Sequence, residues 1–210
     1  MVILGILINN ELRTGANRRY LELMEGLAER GHTVRVIMNS YLDYTPAHFR
    51  RISVPVKYVR KQLFPVSLLL LLKLRSMECG FFDGIADTEW IHIHGDMNLS
   101  AALHLKKRIN ASLCYAVRCN DITRAQILIR KAGYGLWEKL TTKLFIFKKR
   151  IRENRIARDA ERIVFMNHDD LDHFLRRTGC DREKTSIVPG NIGLPRFTDE
   201  WKGKNRSIGV

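Results

Sequence analysis

The chain has 210 residues, 45% of them hydrophobic and 28% charged, with 36 Lys and Arg against 22 Asp and Glu for a formal net charge of +14. That length can bury one full core, or one domain and a fragment of another, and the cation surplus draws anionic partners such as nucleic acid, acidic lipid or phosphorylated substrates without specifying a fold. Cys79, Cys114, Cys119 and Cys180 lack the close paired spacing of a zinc site or a disulfide framework, so no metal centre is expected and a reducing, cytoplasmic compartment is.

Residues 2–8 form an apolar stretch that predicts a strand. They lack a basic leader and a small-residue cleavage site, so no secretory signal is expected. A polar loop ending Thr14-Gly15-Ala16-Asn17-Arg18-Arg19-Tyr20 leads into a helix in which Tyr20, Leu23, Met24, Leu27 and Ala28 share one face. Gly31 is placed to end that helix, and Thr33-Val34-Arg35-Val36-Ile37 to begin a second strand. A glycine between a parallel strand and a helix lets backbone N–H groups approach a phosphate at the positive end of the helix.

Ile52-Ser53-Val54-Pro55-Val56-Lys57-Tyr58-Val59 predicts a further strand, with Pro55 pointing to a sheet edge or an irregular end. The helix beyond Pro65, running to about Met77, is apolar nearly all round, a pattern of a buried helix ahead of one resting on lipid. Its leucine run is too short to span a bilayer. Trp90-Ile91-His92-Ile93-His94-Gly95 reads as a strand and turn, followed by a helix marked by Leu99, Ala102, Leu103 and Ile109. His94 stands at the strand end, while His92 is expected as a buried, hydrogen-bonded side chain on the opposite face of the strand.

Leu113-Cys114-Tyr115-Ala116-Val117 supplies the next strand, and the tetrad Arg118-Cys119-Asn120-Asp121 falls where that strand gives way to a helix. In the long helical stretch that follows, Trp137, Leu140, Leu144, Phe147 and Ile151 recur in three- and four-residue steps, with Lys and Arg on the other faces. A buried stripe on a surface helix and a basic amphipathic element meeting anionic lipid both fit this pattern. Arg162-Ile163-Val164-Phe165-Met166 is another strand, Asn167 is suited to cap a helix closed by Gly179, and Thr185-Ser186-Ile187-Val188 runs into Pro189-Gly190-Asn191. Strands alternate with helices and no repeat appears, so the expected class is α/β: a Rossmann-like, mainly parallel sheet with helices on both faces.

In order and spacing, five pieces resemble the N-terminal domain of GT-B glycosyltransferases, specifically the group-1 retaining class, over nearly the whole chain. They are the loop and helix from Thr14 to His32, the strand end Ile91-His92-Ile93-His94-Gly95, and the turn Arg118-Cys119-Asn120-Asp121. The strand ending Phe165-Met166-Asn167 and the turn Ile187-Val188-Pro189-Gly190-Asn191-Ile192, with Phe197 after it, complete the set. The resemblance implies one half of a GT-B enzyme, with residues 1–197 as the acceptor-side domain and residues 198–210 as a linker and the start of a nucleotide-sugar domain.

It further implies transfer of a sugar from a nucleotide-sugar, used as substrate with no cofactor, to an acceptor hydroxyl with retention. The acceptor would be a carbohydrate or a lipid-linked molecule, as in cell-surface polysaccharide or glycolipid synthesis. The fragment by itself is expected to transfer no sugar. Arg118 and Asp121 would be the catalytic pair, Arg118 stabilising the departing phosphate and Asp121 orienting it or a sugar hydroxyl. Thr14, Gly15, Ala16, His94, Asn120 and Asn167 would contact donor or acceptor.

Two other classes compete. A nicotinamide-binding domain would need G-x-G-x-x-G after a strand, and Gly5 and Gly15 do not make it. A basic, non-catalytic α/β module for nucleic acid or a membrane surface would use the net charge. No helix-turn-helix, RNP strand or finger supports a specific nucleic-acid partner, whereas an acidic membrane surface at the inner face of the membrane remains compatible with either an enzyme or a scaffold.

Overall fold

Side chains of the first strand alternate between two cores, which requires helices on both sides of the sheet. Ile3 and Leu7 of β1 (Val2–Leu7) join one cluster with Tyr20, Leu21 and Met24 of α1 (Gly15–Glu29), whereas Leu4, Ile6 and Ile8 join another with Leu70 and Leu74 of α2 (Val66–Arg75). The computed structural model describes residues 1–8, 15–56, 66–117, 121–130 and 135–188. Among these, β1 is joined by β2 (Thr33–Asn39), β3 (Arg50–Val54), β4 (Trp90–His94), β5 (Ser112–Ala116), β6 (Arg162–Phe165) and β7 (Thr185–Ile187). Every pairing is parallel, in the order β3-β2-β1-β4-β5-β6-β7.

The remaining helices are a short α3 (Cys79–Asp83), α4 (Leu99–Ile109), α5 (Asp121–Arg130), α6 (Leu136–Asp159) and α7 (His168–Thr178). α4 packs on α2 and buries Leu99, Ala102, Leu103 and Leu105. The expected α/β class, with a parallel sheet between helices, is therefore what the chain forms. Asn39, fully buried at the end of β2, donates to the carbonyls of Ile8 (3.3 Å) and Val56 (2.7 Å) and so ties together the chain leaving three adjacent strands.

Three local expectations are corrected. β3 spans Arg50–Val54 rather than starting at Ile52 and running through Pro55: it lies at the sheet edge as Pro55 indicated, and a residue without an N–H ends it. Residues 57–59, also placed in that strand, lie outside the described residues. α2 is not buried all round, since Leu70 and Leu74 are enclosed while Leu72 is exposed.

The largest departure is in α6. Trp137, Leu140, Leu144, Phe147 and Ile151 form no buried stripe; all five are more than half exposed, Trp137 at 74%. The helix meets the domain instead through Thr142, Ile146, Lys149, Glu153 and Ile156. At 3.6 residues per turn that face is about half a turn away from the apolar one. Periodicity located the stripe but not its direction, because charge pairing with the domain determines which side of α6 faces inward.

Candidate functional site

Strand order reverses at β1 and β4, the position where parallel α/β sheets open a crevice at the carboxyl ends of their strands. α1 begins at Gly15 beside that edge, so the predicted loop glycine lies in the first helical turn and the positive end of the helix faces the crevice. Ala16 shares this turn, and Asn17 is 2% exposed. Thr14 lies outside the described residues.

Tyr20, one turn further along α1, fastens the two strands at the switch. Its hydroxyl accepts from Ile6 N (3.0 Å) and donates to His92 O (2.7 Å). Gly5 makes this possible: a Cβ there would stand 2.8 Å from the Tyr20 hydroxyl and 3.1 Å from Met24 Sδ. Burial raises the Tyr20 pKa, so the hydroxyl keeps its proton and both bonds. Both histidines of β4 stack on this ring, His92 at 5.5 Å and His94 at 5.6 Å between centroids.

His92 and His94 therefore share a face, against the expectation that His92 points the other way; residues two apart in a strand always do. His92 was also expected to be hydrogen-bonded through its ring, yet its Nδ1 is buried without a partner among the described residues. Burial pushes its pKa down to about 4, so the ring is neutral.

Past His94, Gly95 at φ 77° turns the chain into a 3-10 turn, Asp96–Asn98, which sequence periodicity had not singled out. Asn98 is buried; its Nδ2 donates to Ile6 O (3.1 Å), and its Oδ1 is buried without a hydrogen-bond partner among the described residues. Asp96 accepts from Lys149 Nζ (2.9 Å) and Arg152 Nη1 (2.8 Å), and Lys149 also donates to Asp121 (2.6 Å). Burial alone would raise the Asp96 pKa, but the two cations outweigh it and hold the carboxyl below its ordinary value. Burial likewise opposes the charged form of Lys149, and its two carboxylates reverse that, raising its pKa. Asp96, Asp121, Lys149, Arg152, Tyr115 and Glu153 line a small hollow here.

The expected site residues thus meet only in part. Gly15, His94 and Asp121 gather at the carboxyl edge of the sheet, Asp121 opening α5 with Lys149 as a partner that the sequence did not indicate. Arg118 and Asn120, with Cys119, lie outside the described residues, as do residues 189–210. Asn167 is an exposed helix cap, its Oδ1 accepting from Asp170 N (2.8 Å) and its Nδ2 donating to Asp170 Oδ2 (2.9 Å). Tyr20, Asp96, Asn98, Lys149 and Arg152 were missed. Only Asp96, beside the turn glycine Gly95, carried a local signal, since Lys149 and Arg152 are brought to it from more than fifty residues away. Among the described residues no group of three or more His, Cys, Asp or Glu side chains is placed to hold a metal ion.

A parallel sheet in this strand order, with polar turns and the start of α1 gathered at one crevice, defines a Rossmann-like half of the GT-B architecture. Residues 14–191 match the family profile of the glycosyl transferase 4-like domain, and the chain belongs to that family. No curated protein sequence matches it.

Among solved structures, the chain is similar to sucrose-phosphate synthase from Thermosynechococcus elongatus, with a TM-score of 0.63 and 16% identity, covering 90% of this chain and 47% of that one. A ugt transferase from Siraitia grosvenorii in complex with UDP gives a TM-score of 0.55 at 10% identity, covering 96% of this chain and 54% of that one. HepE of Anabaena in complex with UDP gives 0.50 at 12% identity, covering 90% and 44%. At these identities the likeness is one of fold, and the chain spans about half the length of these structures.

Proposed function

We propose that the chain is the N-terminal, acceptor-side part of a glycosyltransferase that moves a sugar from a nucleotide-sugar to an acceptor hydroxyl with retention. Residues 1–197 make up this part, and the nucleotide-sugar is bound mainly by a second domain entered through residues 198–210. The carrying observation is that, in a member of this family, Gly15, His94, Asp96 and Asp121 converge on the crevice where the strand order reverses. UDP in the solved structures of the Siraitia grosvenorii and Anabaena proteins supports a nucleotide-sugar as the donor class.

Each role follows from charge. Departure of a nucleoside diphosphate builds negative charge on its phosphate oxygens, and fixed donors aimed at that position lower the barrier. The start of α1 at Gly15, with Thr14 and Ala16 beside it, supplies backbone N–H groups, and Arg118 a guanidinium. Asp121, paired with Lys149, orients a sugar hydroxyl together with Asn120 and His94, and Asn167 borders the acceptor side of the cleft. No resident cofactor enters this chemistry. The acceptor is a carbohydrate or a lipid-linked molecule, and the setting is the cytoplasm at the inner face of a membrane where cell-surface polysaccharide or glycolipid is made. A non-catalytic basic module is not favoured, because family membership accounts for the crevice.

Labelled-donor transfer tests this. Residues 1–210 alone are expected to transfer no sugar from UDP-, GDP- or ADP-linked donors, and transfer is expected once a donor-binding domain is joined to them. Turnover by residues 1–210 alone contradicts the half-cleft arrangement.

A further inference from the structure

We propose that the outward face of α6 is a docking surface for an anionic lipid bilayer, on which the helix lies parallel to the membrane plane. This rests on the membrane-surface part of the function proposed above and identifies the surface that makes the contact.

The exposed stripe of Trp137, Leu140, Leu144, Phe147 and Ile151 is continuous along one side of a single helix. At 1.5 Å per residue it runs for about 21 Å. Isolated exposed hydrophobic residues need no explanation, but a contiguous row with two aromatic rings marks an interaction surface. The stripe faces outward because the opposite side of α6 is committed to charge. Lys149 and Arg152 hold Asp96, and Glu153 receives a two-pronged pair from Arg177 at 2.8 and 2.9 Å. Rolling the helix to bury the stripe would break these bonds and leave Asp96 without cations.

Charge identifies the occupant. Between Glu138 and Glu153, α6 carries six Lys or Arg residues and no acid. Helical geometry places Lys143 and Arg150 along one border of the stripe and Lys148 and Arg155 along the other. An apolar row with cations along both borders is the arrangement of an in-plane helix, whose hydrophobic side chains enter the acyl boundary while lysine and arginine reach the phosphate headgroups. A second copy of the chain would bring the same cations face to face. Among the described residues no helix is long and apolar enough to cross a membrane, so contact through α6 is with the surface.

The test is flotation of the protein with phosphatidylcholine vesicles, with and without phosphatidylglycerol, in the absence of any sugar donor. Binding is expected only to the anionic vesicles, weakening as salt rises, together with a blue shift of fluorescence that disappears in Trp137→Phe. The triple variant Trp137→Ser, Leu144→Ser, Phe147→Ser should lose at least about tenfold in vesicle affinity while keeping its far-UV circular dichroism, because these side chains contribute little to the fold. Lys143→Gln, Lys148→Gln, Arg150→Gln should lose most of the salt-sensitive part.

Vesicle binding that is absent, equal on neutral lipid, or unchanged in the serine variant overturns the proposal. So does a concentration-dependent dimer that the serine variant abolishes, which would assign the stripe to a second copy. With no donor present, failure here leaves sugar transfer untouched, whereas vesicle binding without transfer once a donor-binding domain is joined counts against the enzyme function alone.

Discussion

The Tyr20 hydroxyl lies 2.8 Å from the point where a Cβ on Gly5 would stand, so the missing side chain of one residue makes room for the hydrogen bonds of the other. Gly5→Ala forces this hydroxyl away from Ile6 N and His92 O and is expected to cost about 3 kcal/mol of unfolding free energy. Tyr20→Phe removes the hydroxyl from both backbone groups and should cost about 2 kcal/mol. Combined, the two changes should cost less than their sum, because without the hydroxyl the alanine methyl has space to enter. Urea unfolding of the four proteins in this cycle checks the coupling.

Acid should weaken the fold well above the carboxylate range, through His92. Its ordinary pKa is 6.5, and burial lowers it to about 4 in the folded chain. Between those values the unfolded chain takes up the proton more readily, so stability present above pH 6.5 declines as pH falls and the loss is complete near pH 4. A single group over this span contributes roughly 3 kcal/mol. His92→Phe, which keeps a ring against Tyr20, should flatten the stability profile across that window; an unchanged slope would show that another group titrates there.

Lys149 joins α6 to both Asp96 and Asp121, and its side chain and that of Asp96 are largely enclosed. Lys149→Met strands the Asp96 carboxylate with Arg152 alone and should destabilise the chain by about 3 kcal/mol. Asp96→Leu placed in that background should restore part of the loss, since a buried charge without its partner costs more than an apolar side chain. The Asp96 pKa should rise in Lys149→Met, moving the loss of its pairing with Arg152 to higher pH. Thermal melts at several pH values follow both effects.

Asn98 donates to the Ile6 carbonyl from a buried position. Asn98→Ala removes that donor and should cost about 1.5 kcal/mol. Asn98→Asp, nearly the same shape, turns an acceptor or a buried charge toward that carbonyl and should cost about 3 kcal/mol. A larger penalty for the closer mimic, measured by urea unfolding, separates hydrogen bonding from packing.

Most of the architecture was legible because each element announces itself locally. Apolar alternation and the stops at Gly31 and Gly179 define strands and helix ends, and both glycines adopt the positive φ that favours this residue. Asn167 was legible as a cap for the same reason. Long-range pairing carries no such signal. Nothing near Asp96 announces Lys149 or Arg152, and nothing in the spacing of Trp137, Leu140 and Leu144 reveals that the charges on the other side of α6 prevail. Gly5 was visible only as a residue that fails a nucleotide-binding fingerprint, whereas its role is to admit Tyr20.

The convergence of the site at the carboxyl edge of the sheet is tested most directly by titrating the isotopically labelled chain with UDP, GDP, their sugar conjugates and oligosaccharide acceptors while following backbone amide shifts. The shifts should gather at Gly15, Ala16 and Asn17, at Gly95 to Asn98, and at Val117 and Asp121, around the crevice between β1 and β4. Shifts gathered at the opposite edge, around Gly31 and Asn110, or none with any of these ligands, would contradict a glycosyltransferase cleft at this position.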